Sequence, residues 1–79
     1  MKSIRYMLQA AADLQKHHAV AARILKKIAA YAETGAGDVI ELTGRTGKRL
    51  RVGDFRVIFE DSDTKILVTK IGPRKNVYD

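Results

Sequence analysis

Five basic side chains, Arg45, Lys48, Arg49, Arg51 and Arg56, crowd into the stretch from position 45 to position 56, where Asp54 is the one acid. A guanidinium carries a rigid fork of N–H donors that matches the paired oxygens of a phosphate, and it stays charged at any physiological pH. Such a cluster suits an anionic partner, and nucleic acid is the polymer that best fits it. A basic face that is merely solvated has the same composition, so charge alone leaves both readings open. The excess is uneven: residues 1–42 carry six Lys/Arg against four Asp/Glu, hence +2, and residues 43–79 carry nine against five, hence +4.

The local pattern gives these side chains a geometry. After Gly44 the apolar period becomes alternating, with Leu50 and Val52 in one run and Phe55, Val57 and Phe59 in the next. Between them Gly53-Asp54 suits a two-residue type II′ hairpin, which sets the register. Counting outward puts Val52 opposite Phe55, Arg51 opposite Arg56, Leu50 opposite Val57 and Arg49 opposite Ile58. Arg49, Arg51, Arg56, Ile58 and Glu60 then share one open face, and the apolar residues share the other. Like charges facing each other across an antiparallel pair repel by about 0.2–1 kcal/mol, which a bound anion would offset. The set reads as a phosphate cradle, although two arginines splayed into water to guard a sheet edge would give the same pattern.

Other elements must hold this hairpin. Ile4 and Tyr6 alternate weakly, as in a short first strand, although Ser3 could equally cap a helix. Met7, Ala10, Ala11 and Leu14 follow helical spacing over residues 8–17, as do Val20, Ile24, Ile28, Tyr31 and Ala32 over residues 19–33. A helical hairpin is expected, with His17-His18 as its solvated loop and Thr34-Gly35 as its stop. A turn at residues 61–64 precedes a further strand over residues 65–71, ended by Gly72-Pro73.

With 79 residues the chain has room for one core, so residues 1–79 are read as a single domain. A domain this small buries only roughly 60% of the surface its unfolded chain exposes. It also has no cysteine for a disulfide or thiolate zinc site, so a stabilising partner is expected. No apolar run is long enough for a membrane span and no signal-peptide region opens the chain, so the reading is cytoplasmic. Neither a metal nor a cofactor is expected. Asp61 and Asp63 read as turn formers, Tyr31 as core, and Gly44-Arg45-Thr46-Gly47 as a turn, because it lacks the Gly-Lys-Ser/Thr ending of a phosphate-binding loop.

The run from Lys48 to Glu60, KRLRVGDFRVIFE, resembles the central hairpin of RelE/ParE toxins of bacterial type II toxin–antitoxin systems. The segment from Ile71 to Tyr78, IGPRKNVY, resembles the family's closing pattern, and Ala10, Asp13 and Leu14 fall where its first helix has an alanine and an acidic-leucine pair. The resemblance, closest to the RelE-like branch, implies an α+β fold in which two N-terminal helices pack on a small antiparallel sheet of three to four strands. It implies a cognate antitoxin as partner and one of two activities: ribosome-dependent cleavage of mRNA, or inhibition of DNA gyrase without nuclease activity. A non-catalytic RNA-binding or degenerate toxin is a further reading.

Under the cleaving reading, Arg49 stands where RelE-type sites have a lysine, Arg56 where they bind the phosphate, Arg74 where they have an arginine near the leaving group, and Tyr78 near their tyrosine. Arg51, Lys48, Lys75 and Arg45 are expected to hold the RNA backbone. The implied toxin is a metal-free mRNA endoribonuclease in which a ribose 2′-hydroxyl attacks the adjacent phosphate.

Overall fold

A computed structural model describes residues 1–44, 47–75 and 77. In chain order these form β1 (Ser3–Tyr6), α1 (Leu8–Lys16), α2 (His18–Thr34), β2 (Val39–Glu41), β3 (Lys48–Val52), β4 (Phe55–Asp61) and β5 (Lys65–Pro73). The strands make one sheet in the order β1-β5-β4-β3-β2. β2 through β5 pair antiparallel, while β1 lies parallel to β5, with Ser3 beside Lys65 and Tyr6 beside Val68.

This corrects the expected fold in two respects. The sheet is five-stranded and mixed rather than antiparallel with three to four strands, and the helices are not N-terminal, because β1 precedes them. Alternation within a four-residue strand reports neither its direction nor its partner, which lies some sixty positions away. β2 went unread for a similar reason: its three residues are defined by pairing with β3 rather than by a pattern of their own.

The hairpin register agrees with the count from the turn, including Arg51 opposite Arg56. Gly53 has φ 58°, as the first central residue of a type II′ turn requires, and among the described residues only glycines have positive φ. Ile24 and Ile28 of α2 and Ala10 of α1 are fully or nearly fully buried against Leu50, Val57, Phe59 and Val68 of the sheet. α2 stops at Gly35, whose φ of 77° lets its N–H donate to the carbonyl of Tyr31 at 2.8 Å. Between the helices there is one residue rather than a loop, and His17 packs its ring edge-on to Phe55 with centroids 4.9 Å apart.

Two polar contacts fasten the sheet. Past the end of β1, the Ile71 N–H faces away from β4, and buried Asp13 of α1 accepts it at 2.9 Å through Oδ2. Without that carboxylate the N–H would be orphaned, at a penalty of about 1–3 kcal/mol. At the other end Asp61, expected in a turn, instead closes β4 and accepts from the Lys2 ammonium, from Tyr31 Oη at 2.7 Å and from Lys48 Nζ at 3.1 Å. Burial pushes its carboxyl up, but the hydrogen bonds from Lys2, Tyr31 and Lys48 outweigh this and hold it at about 2. The same hydrogen bond to Asp61, with that to Tyr31, raises Lys48 above its ordinary value.

Candidate nucleic-acid interface

Arg49, Arg51 and Arg56 lie on the face of the β3–β4 hairpin opposite the helices, since their partners Ile58, Arg56 and Arg51 alternate with the core residues Leu50, Val52 and Val57. Arg51 is exposed and Arg49 half-buried. Arg56 departs from the expectation of an open face. It is only 5% exposed, and its neighbour Ile58 only 8%.

Two features account for that burial. The Arg56 guanidinium folds back along the hairpin, where Nη1 donates to the carbonyls of Gly53 at 2.8 Å and Phe55 at 2.9 Å. Its Nε is buried with no hydrogen-bond partner among the described residues. The chain after β5 also returns over this face. Gly72 pairs with Arg56, and a Cβ on Gly72 would sit 3.9 Å from that of Val77, which is itself 2% exposed. Val77 therefore packs beside Arg56, with its N–H on the Pro73 carbonyl at 3.2 Å.

Arg74 and Lys75 follow β5 directly and are exposed. The Arg74 N–H donates to the Asp54 carbonyl at 2.8 Å, so the start of the tail is tied to the tip of the hairpin. Asp54, Pro73, Arg74 and Lys75 line a hollow of about 350 Å³ there. The structure thus brings Arg51, Arg56 and Arg74 to one end of the hairpin. It separates Lys48, which faces the helix side opposite Phe59 and reaches Asp61 rather than the arginine face. Arg45 and Tyr78 lie outside the described residues.

One cation at this tip was not singled out from the sequence. Arg23 of α2 lies against Gly53, with Nη2 and Nη1 3.1 and 3.2 Å from where a Cβ on Gly53 would stand. Its only local signal is its place beside the Val20, Ile24 and Ile28 stripe, since the residue it meets is thirty positions away.

The arrangement can hold anions and stabilise negative charge. Arginine, protonated to a pKa above about 12, is poorly suited to exchanging protons.

The profile of the family described as "ParE toxin of type II toxin-antitoxin system, parDE" matches residues 4–78. No curated protein matches the chain in sequence. Among solved structures, the archaeal RelE–RelB complex from Pyrococcus horikoshii contains a chain 27% identical, with a TM-score of 0.76 and coverage of 96% of this chain and 98% of that one. A chain of the RelB–RelE antitoxin–toxin complex from Methanococcus jannaschii is 23% identical, with a TM-score of 0.74 and 95% of each chain covered. A chain of the DinJ–YafQ complex from E. coli shares the fold at 15% identity, with a TM-score of 0.73 over the whole of both chains.

Proposed function

The chain belongs to the ParE toxin family of type II toxin–antitoxin systems, and we propose that within it the protein acts as a ribosome-dependent mRNA endoribonuclease restrained by a cognate antitoxin. The observation that carries this reading is the convergence of Arg51, Arg56 and Arg74 at the hairpin tip, with the Arg74 backbone fastened to Asp54. A protein that only needs to adhere to an anionic polymer needs charge but not this arrangement. The relative from Pyrococcus horikoshii is a RelE in complex with RelB, which supports an antitoxin partner here.

In the proposed reaction the 2′-oxygen of a ribose forms a bond to the adjacent phosphorus, and the bond from phosphorus to the 5′-oxygen of the next nucleotide breaks. A 2′,3′-cyclic phosphate and a 5′-hydroxyl result, with one proton leaving the 2′-oxygen and one arriving at the 5′-oxygen. Negative charge accumulates on the phosphoryl oxygens at the transition state, and fixed cations there lower the barrier. Arg51 and Arg56 are assigned to the scissile phosphate and Arg74 to the charge developing on it. Arg49 supports charge rather than proton exchange, and Lys75 holds the flanking backbone. Tyr78 is assigned to stacking on a base or orienting the 2′-hydroxyl. The ribosome supplies the remaining alignment and proton transfer.

A second reading, gyrase inhibition without cleavage, draws on the buried state of Arg56, whose Nη1 already serves two carbonyls of its own hairpin. The readings separate when wild type and Arg74→Ala are expressed from a tight promoter and the ends of translated messages are mapped. Cuts at defined codon positions with the wild type, reduced about a hundredfold or more by the substitution, are expected. Growth arrest without such cuts would sink the nuclease reading, and loss of supercoiling by purified gyrase would then support the second.

A further inference from the structure

Arg23 stands apart from the arginines of the hairpin, because it reaches the tip from α2 on the helix side of the sheet. Three atoms of its guanidinium, Nη2, Nη1 and Cζ, lie 3.1, 3.2 and 3.4 Å from the position a Cβ would occupy on Gly53. Both terminal nitrogens lie nearer than Cζ, so the guanidinium presents its Nη edge, tilted, to the glycine. The absent Cβ leaves room for this approach, and the φ of 58° favours glycine at the same position.

Arg23 is exposed and pairs with no carboxylate among the described residues, so no described acid neutralises its charge. Its planar fork of donors suits the paired oxygens of a phosphate. On the adjoining residue the Asp54 carbonyl holds the Arg74 N–H, beside the hollow lined by Arg74 and Lys75. Cations from the helix layer and from the segment after β5 therefore flank the same two-residue turn.

We infer that Arg23, whose Nη edge meets Gly53, is a binding residue for the sugar–phosphate backbone of a single-stranded RNA that crosses the hairpin tip, contacting the phosphate next to the one held by Arg74 and Lys75. This rests on the proposal that the protein's substrate is RNA, and it extends the site around the tip to the helix side.

The test is the affinity of the purified full chain for a fluorescent single-stranded RNA oligonucleotide with 2′-O-methyl sugars, which cannot be cut by 2′-hydroxyl attack, measured over a range of salt. Arg23→Ala should weaken binding about fivefold at low salt. It should also flatten the slope of log affinity against log salt by about 0.7, the value of one phosphate contact on a single strand. Arg23→Lys should keep the slope and lose part of the affinity. Lys26→Ala, which removes the same charge from an exposed position on the same helix, should leave the slope unchanged. Wild-type binding with Arg23→Ala and Lys26→Ala indistinguishable would overturn the Arg23 assignment alone. Absence of any binding by the wild type would overturn the RNA reading as well.

Discussion

The two ends of the β3–β4 hairpin gather cations in opposite ways. At its base Lys2 and Lys48, together with the Tyr31 hydroxyl, converge on Asp61, a carboxylate whose side chain is 4% exposed. At its tip Arg23 lies against Gly53 while Arg56 and the Arg74 amide donate to three backbone carbonyls, those of Gly53, Phe55 and Asp54, and no described carboxylate pairs with any of these arginines. Cations at the base are committed to a buried acid and, with Tyr31, join the residue before β1 to α2, β3 and β4. Those at the tip lie against neutral backbone, and no described acid neutralises their charge.

Several measurements would break or sharpen that contrast. Asp61→Ala should have the largest effect, lowering stability by about 3 kcal/mol in urea unfolding, because it leaves two lysines without the acid they surround. An unchanged midpoint would mean the base is not a clasp. Acid should reach the same contact. A carboxyl held at about 2 against an ordinary 3.8 binds its proton more weakly in the folded state. Its contribution is therefore complete above pH 4 and drains away as the pH falls from about 4 to about 2. The loss should be on the order of 1–2 kcal/mol after allowance for solvent around the lysine heads, and it should vanish in Asp61→Asn. Lys48→Ala should remove about 1 kcal/mol while leaving the salt dependence of RNA binding unaltered, since its ammonium faces Asp61. The smallest effect, and the one opposite in sign, belongs to Arg51→Ala. Relief of its repulsion with Arg56 should raise stability by about 0.2–1 kcal/mol while RNA affinity falls. A loss of stability there would show that Arg51 serves the fold after all.

What could be read in the sequence divides along the same line. The tip was legible because its determinants are adjacent: Gly53-Asp54 sets a turn, the turn sets a register, and the register puts Arg51 opposite Arg56. The base was not. Lys2 and Asp61 meet across 59 positions, and an acid beside Ser62 and Asp63 has the composition of a turn. Both helices emerged within about a residue of their expected limits from apolar spacing, whereas β1 showed only a weak alternation at Ile4 and Tyr6 and the three residues of β2 showed none. The burial of Arg56 had no local sign either. It arises because the guanidinium folds back onto the Gly53 and Phe55 carbonyls and because Val77, some twenty positions later, lies over Gly72, the ladder partner of Arg56.

The parallel pairing of β1 with β5 bears on how the chain matures. β1 is made before the other described strands, yet its ladder partner among them is β5, the last, so chain entropy must be overcome across the whole of the intervening sequence before β1 gains its hydrogen bonds. Arg74, whose amide closes on Asp54, follows that last strand. A nascent chain that has released only the helices and the β3–β4 hairpin therefore has neither a complete sheet nor a complete arginine cluster. The site assembles late, after β5 has cleared the machinery that makes it.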